Sequence, residues 1–560
     1  MLWKPTPSPD NQKVKILQEA LQVPQTIASL LVQRQITTYE AAKDFFRPQW
    51  DALHDPFLMQ DMFSAVERIE KAIAEKESIM VYGDYDVDGT TSVALVYSYL
   101  RPLANVFSYI PDRYLEGYGI SRKGIEVAKE KEVSLIIALD CGIKAIDQVN
   151  YASELEIDFI ICDHHRPGAS LPNAVAILDP KRSDCSYPFE HLCGCGIGFK
   201  LVQALNQKKG ATQEDLMPFL DLVATATAAD IVPMIGENRI LTHFGLKQIN
   251  AAPRVGIRYF VNELKRPVNV SDLVFRLAPR INAAGRMEHG INAFRLLTSL
   301  SIDEVRPIAR AIEFNNSERR TKDEKITEEA LLLVAENELV YTNVVFAPHW
   351  HKGVIGIVAS RLIEHYYRPT VVLTQGGNHL VGSVRSVKGF DVYQALEASQ
   401  DYLIQFGGHK YAAGLTLQPN QLEGFKTRFE EVVKEQLKPD QREPQLDYDL
   451  EVGFDDLSPK MFRIMEQMTP FGPLNLRPVF VVHECKDAGG SKVVGKDNKH
   501  LRLELIDPTG QKMAGIAFQQ AHHLLDVKSQ KSFSICFTLE ENRYNNSTGL
   551  QLKVKALHFD

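Results

Sequence analysis

Cysteine is scarce in this chain: seven residues in 560, an odd number scattered from Cys141 to Cys536. That excludes a disulfide framework and fits a reducing compartment such as the cytoplasm. Long apolar runs are missing too. The strongest, Val133–Leu139 and Phe159–Cys162, fall far short of the roughly 20 residues that a membrane-spanning helix needs. The opening stretch, MLWKPTPSPDNQK, has no apolar h-region, so a secretory signal is not expected. Internal repeats and low-complexity tracts are absent. An excess of positive charge is also lacking, since 63 Lys and Arg face 71 Asp and Glu, a net charge of −8. A uniformly cationic nucleic-acid coat is thereby excluded, although a local basic surface is not. What remains is an ordinary globular composition, 44% hydrophobic and 24% charged. It is long enough for three or four domains at about 150 residues each.

Residues 1–60 read as a proline-punctuated, partly helical lead-in. From 61 to 302 the pattern is that of an α/β catalytic domain. Short apolar runs at 79–82, 106–110, 134–139, 158–162 and 174–178 alternate with helical segments near 90–101, 121–132 and 145–155. This order predicts a mainly parallel sheet. Consecutive helices follow from 196, ending in a long connecting helix over 303–338. A second α/β unit is expected over 339–440. After the hinge-like DQREPQLDYDLEVG, residues 441–560 read as about five strands, the count of a small OB-like β-barrel.

The strongest chemical signal is GDYDVDG at 83–89, lying between a strand-like run and a helix. Asp84, Asp86 and Asp88 repel one another unless cations neutralise them. Gly83 and Gly89 suit a tight backbone. An EF-hand loop has similar acids but follows a helix, whereas a strand precedes this one. Asp140 ends a second strand-like run and Asp163 a third, the latter followed by His164 and His165. In an open parallel sheet, functional groups gather at the carboxyl ends of strands, so these residues should converge on one crevice. Asp230, in ATAADIVP, reads alone as a helix cap and gains weight from the others. Several carboxylates with one or two imidazoles favour Mg²⁺ or Mn²⁺ over structural zinc. Enough carboxylates are present for two ions, which could flank the attacking and leaving oxygens of a phosphoryl group. Cys185, Cys193 and Cys195, near His191, lack paired zinc-site spacing and read as incidental thiols.

A local basic surface accompanies the acids. Residues 254–295 hold eight arginines and lysines against three acids, as a polyanionic substrate requires. Arg280 and Arg286 bracket NAAG, where small residues allow close backbone approach. Ser383 and Arg385 in SVRS, and Gly407, Gly408 and His409 in GGH, read as loop residues of the second unit; Ser383 and Arg385 suit a terminal phosphate. Arg113, Tyr114 and Tyr118 in PDRYLEGYG could line a strand path on which bases stack. In the last domain Lys492, Lys496, Lys499 and Arg502 accompany aromatics in a plausible single-strand-binding platform.

GDYDVDG, LDCG, DHH and the aspartate of ATAADIVP together resemble the four motifs of the DHH phosphoesterases. HWHKGVIGIVASRL and FGGHKYAAGL resemble the DHH-associated domain. The resemblance implies a two-lobed α/β fold, with the lobes joined by the long helix and the β-barrel appended. It implies metal ligation by Asp84, Asp86, Asp88, Asp140, His164 and Asp230, supported by Asp163 and His165. Arg280, Ser383 and Arg385 would read a 5′ phosphate, and His409 would lie over the scissile phosphate. IPDRYLEGYGIS, RINAAGRM and the terminal barrel narrow the resemblance to a branch that degrades single-stranded DNA 5′→3′ in recombination and repair. That branch implies a helicase of the RecQ type and single-stranded DNA-binding protein as partners, with a monomer expected. Two other functions fit parts of the pattern. One is a DHH-type phosphatase, pyrophosphatase or oligoribonuclease on small substrates, which needs only the two lobes. The other is a non-catalytic strand-binding scaffold, which would have lost acidic ligands that are all present here.

Overall fold

The computed structural model describes residues 1–336, 339–544 and 547–559. It divides into two units. One comprises His54–Val232 and Gly236–Pro444; the other comprises Met1–Leu53, Pro233–Ile235 and Gln445–Asp560. No described helix is long and apolar enough to cross a membrane.

The larger unit contains both α/β layers. Its first sheet runs Asn105–Tyr109, Ser78–Gly83, Val133–Leu139, Asp158–Cys162, Ala176–Leu178, every pairing parallel. The expected strands are all present, within one or two residues of the apolar runs. Apolar side chains on both faces explain why the runs are continuous rather than alternating. Chain order reverses between Ser78–Gly83 and Val133–Leu139, so the switch point lies where Asp84 and Asp140 leave the sheet. The second sheet runs Gln405–His409, Ala412–Leu417, His379–Arg385, Thr370–Gly376, Asn343–Phe346. The helix Ile302–Ala335 joins the two layers, as expected; positions 337 and 338 of the predicted span lie outside the described residues.

Two local expectations are corrected here. Ser383 and Arg385 lie in the strand His379–Arg385, and Gly407–His409 in Gln405–His409, so neither group is in a loop. Glycines at 407, 408 and 414 suggest irregular backbone, but antiparallel pairing with Ala412–Leu417 overrides that local preference.

In the smaller unit the N-terminal segment joins the C-terminal strands. Leu2–Pro5 pairs in parallel with Gln445–Tyr448. Val14, Leu17, Ile27 and Leu30, from the first two helices, share one core with Met461, Phe480, Phe533 and Phe537. Amphipathic helices need an apolar partner, and these find it some 450 positions along the chain, a distance that sequence periodicity cannot report. The C-terminal strands follow the order Leu450–Glu451, Phe480–Asp487, Phe533–Tyr544, Ser547–Phe559, Lys512–Ala517, His500–Ile506, Lys492–Val494. An added pairing of Phe480–Asp487 with His500–Ile506 closes a five-stranded circuit, consistent with the OB-like expectation.

Candidate metal and phosphate site

Each acidic side chain is delivered by a strand or helix end. Asp84 follows the strand Ser78–Gly83 and is completely buried; among the described residues neither carboxylate oxygen has a hydrogen-bond partner. Asp86 caps the helix Val87–Leu100, its Oδ1 accepting from the Gly89 amide at 3.0 Å. Gly89 is required by close approach, since a Cβ there would lie 2.5 Å from the Asp84 carbonyl oxygen. Asp88 is fixed from a different element: its two oxygens accept from the amides of Gly194 and Cys195, at 2.7 and 2.8 Å, at the start of the helix Gly194–Lys208. Asp140 leaves its strand in the left-handed conformation, φ 59°. Asp230 does cap the helix Leu220–Ala229, as its sequence position alone suggests, and also reaches the cluster.

His164 is the hub. Its Nε2 lies 3.2 Å from Asp140, 3.7 Å from Asp230 and 3.8 Å from Asp88. Two groups of three residues, Asp140 with His164 and His165, and Asp88 with His164 and Asp230, bring potential ligand atoms within 4.8 Å of one another. Asp84 and Asp86 stand outside both groups. Burial drives the Asp140 carboxyl far above its ordinary range, reinforced by Asp88 and Asp86. Burial and Asp88 push Asp230 up to about 9. Burial brings His164 down to about 4. So much carboxylate burial without matching cations is costly, and buried oxygens of Asp84, Asp140 and Asp230 lack hydrogen-bond partners. Divalent cations fit this donor set: hard oxygens plus imidazole, unpartnered and facing one another.

Asp163 differs. Its oxygens accept from the amides of Ile143, His164 and His165 and from His165 Nδ1 at 2.7 Å. Burial raises its pKa, but the His165 bond and these amides more than offset that and hold it at about 2. It orients the DHH turn. His165 Nε2 then faces the Tyr118 hydroxyl at 3.3 Å. The His165 and His409 rings are nearly parallel, with centroids 6.4 Å apart, so the second sheet does bring His409 to the cluster.

An arginine group adjoins the acids. Arg113 lies over the Tyr85 ring, 4.7 Å from its centroid. Burial, together with Arg113, Arg319 and Arg385, brings the Arg286 guanidinium down to about 10. Arg286 Nη1 donates to the Gly353 carbonyl at 3.1 Å, and the Tyr114 hydroxyl donates to the Arg286 carbonyl. Arg385 donates to Ser383 Oγ at 3.0 Å. Asp323, the acid that faces Arg319, is engaged by Arg361 at 2.7 Å. Arg280 is placed differently from its expected partners Ser383 and Arg385. It lies six residues before Arg286 on the helix Ala278–Met287, turned toward Glu313 at 3.5 Å and the Phe260 ring at 5.3 Å. A six-residue step rotates a side chain by about 120° round a helix, which separates the two arginines.

Cys193 and Cys195 are buried, and neither candidate ligand group among the described residues includes a cysteine.

Residues 78–227 match the DHH family N-terminal domain, 337–435 the DHHA1 domain and 448–556 the RecJ OB domain. The single-stranded-DNA-specific exonuclease RecJ of Bacillus subtilis is 36% identical over 554 residues, covering 98% of this chain and 70% of that protein. RecJ of Escherichia coli is 32% identical, covering 87% and 88%. This chain belongs to the RecJ family. RecJ from Thermus thermophilus in complex with Mn²⁺ has the same fold, with TM-score 0.86 and 27% identity over 100% of this chain and 80% of that one. Its Mg²⁺ complex gives a TM-score of 0.80 at 25% identity.

Several contributors to this RecJ-family centre were not evident from sequence. Gly194 is one: a Cβ there would lie 2.6 Å from that of Asp140. Nothing local marks it, because the approach comes from a helix 54 positions downstream of the aspartate. Arg319 is another, an arginine in a charged helix until the fold turns it toward Arg286. Lys181, whose ammonium donates to the His164 carbonyl, follows the short strand Ala176–Leu178, and a strand-end rule extended to this fifth strand would have found it.

Proposed function

We propose that this chain is a metal-dependent exonuclease that degrades single-stranded DNA from its 5′ end, releasing mononucleotides, in recombination and repair. The observation that carries the reading is the juxtaposition of two sites of opposite charge. A buried, under-neutralised set of carboxylates around His164 stands beside the group Arg113, Arg286, Arg319 and Arg385. The first suits divalent cations and the second a phosphate.

Asp84, Asp86, Asp88, Asp140, His164 and Asp230 would hold Mn²⁺ or Mg²⁺, with enough carboxylates for two ions. When bound, such ions supply charge neutralisation, water activation and stabilisation of developing charge at phosphorus. The chain's own groups do the rest. Asp163 fixes the His165 ring, and His165 and His409 confront each other where the scissile phosphate would lie. Arg286 and Arg385, with Ser383, hold the terminal phosphate by charge-assisted hydrogen bonds. In this reading Arg286 replaces Arg280 as the principal phosphate reader, and Arg280, set against Glu313, acts at one remove. Arg113 and Tyr118 border the path of the leading nucleotide. Gly407 and Gly408 precede His409 on the same edge strand, and Gly408 allows the close pairing with Ala412 and Ala413 that sets it. The OB-type unit adds a single-strand-binding surface through Lys492, Lys496, Lys499 and Arg502.

The chain works in the cytoplasm as a monomer. Single-stranded DNA-binding protein and a RecQ-type helicase would present its substrate. A small-substrate phosphoesterase would have no use for an OB-type unit.

The test uses purified protein with a single-stranded oligonucleotide and its blunt duplex, in Mn²⁺, Mg²⁺ or EDTA. The reading expects metal-dependent loss of the single strand alone. Hydrolysis confined to dinucleotides or pyrophosphate would overturn it.

A further inference from the structure

The acidic cluster has a second basic neighbour, with its own place and character. Arg113 is the cation that faces Asp84. Lys181 is the cation that faces Asp230. Asp84 leaves the sheet at the switch point, whereas Lys181 follows the outermost strand, Ala176–Leu178, at the far end of the sheet order. The carboxylates therefore have one basic group toward Asp84 and another toward Asp230. The second group is Lys144, Arg166 and Lys181, which together face His409. These three come from separate strand-end turns, after Asp140, Asp163 and Asp179 respectively.

The two groups differ in accessibility. Arg286 is hemmed in by both lobes, through the Gly353 carbonyl that it contacts and the Tyr114 hydroxyl that contacts its own carbonyl. Lys144, Arg166 and Lys181 are all exposed. Lys144 and Arg166 make no ion pair with a carboxylate among the described residues. Among the described residues, the Lys181 ammonium donates to the His164 carbonyl and forms no ion pair. Beside them Gly407, Gly408 and His409 are exposed on Gln405–His409, the edge strand of the second sheet. A chain terminus fits a closed, cationic pocket. A strand that continues needs an open surface with unpaired cations at intervals, and long flexible lysines and arginines follow its phosphates at little cost.

We propose that Lys144, Arg166 and Lys181 form the track along which the strand leaves the catalytic centre, binding backbone phosphates on the 3′ side of the scissile bond. The polarity of degradation then follows from the site itself: the arginine pocket receives the 5′ end, and the open lysine–arginine surface carries the remainder. The ligand is the phosphodiester backbone of a single strand, read through charge and not through its bases. This assignment rests on the exonuclease reading given above.

The test compares the wild-type protein with Lys144→Gln/Arg166→Gln. The substrates are a 5′-phosphorylated thymidine dinucleotide and a 5′-phosphorylated oligothymidylate of twenty residues, with Mn²⁺ over a range of NaCl concentrations. The dinucleotide has no phosphate beyond the scissile one. The ratio of KM for the long substrate to KM for the short one should rise about three- to tenfold in the double variant. The salt slope of log(1/KM) for the long substrate should become shallower by about 0.7 per cation removed. An unchanged ratio with an unchanged slope would overturn the track. So would an equal loss on both substrates, which would place these cations at the reaction centre. If the wild-type protein hydrolysed neither substrate, the exonuclease reading itself would fall, and the track with it.

Discussion

His164 Nε2 lies 3.2 Å from Asp140 Oδ1, joining two residues that leave neighbouring parallel strands. Holding this contact costs the fold stability. Burial forces Asp140 and His164 toward their uncharged forms, and several carboxylate oxygens nearby have no partner. The same arrangement is productive once a divalent cation shares the site.

Metal should therefore stabilise the folded protein. Adding Mn²⁺ at about 100 times its dissociation constant contributes about 2.7 kcal/mol per site, which EDTA removes. Differential scanning calorimetry should show a rise in Tm of several degrees with Mn²⁺. Asp140→Asn should abolish hydrolysis, raise the Tm of the metal-free protein by removing the cost of burying an ionisable carboxyl, and lose most of the Mn²⁺ response.

Gly194→Ala tests the packing that sets Asp140. Its Cβ would come within 2.6 Å of the Asp140 Cβ, beneath the helix whose first amides hold Asp88. Activity should fall about 10–100-fold, the scale on which groups supporting metal ligands act. Circular dichroism should show the fold retained. Wild-type turnover in this variant would mean that the close contact is relaxed at no cost to the site.

Much of this centre was legible because strand ends announce themselves: an apolar run followed by Asp, three times over. The parallel sheet and the approach of His164 to Asp140 at neighbouring strand ends follow from that pattern. What was hidden depends on contacts between distant elements. The Asp88 carboxylate is held by amides at 194 and 195, and Leu2–Pro5 pairs with Gln445–Tyr448. The two arginines around NAAG look equivalent in sequence. Only the direction of the Ala278–Met287 helix, with Glu313 beside one and Gly353 beside the other, separates them.

That separation is testable. Arg286→Ala should lower the preference for 5′-phosphorylated over 5′-hydroxyl single strands about 10–100-fold in kcat/KM, the worth of hydrogen bonds to a charged group. Arg280→Ala should change that preference by less than about threefold. The reverse ranking would return the phosphate to Arg280.

Lys200 and Glu237 form a buried pair at 2.6 Å, remote in role from the acids. The Lys200 ammonium also donates to the His54 carbonyl and to Gln203, and Glu237 also accepts from the Tyr187 hydroxyl. Lys200→Met leaves a buried carboxylate uncompensated and should destabilise the larger unit by about 3–5 kcal/mol in urea denaturation. The double variant Lys200→Met/Glu237→Leu should recover much of the loss.

Direction of attack is the most direct measurement of the central claim. A 5′-phosphorylated single strand labelled at its 3′ end is incubated with Mn²⁺ and the wild-type protein or Asp140→Asn, and products are resolved over time. The account predicts labelled fragments that shorten stepwise from the 5′ end with wild type and none with the variant. Immediate release of a labelled mononucleotide, which marks attack from the 3′ end, or equal cleavage by Asp140→Asn, would contradict it.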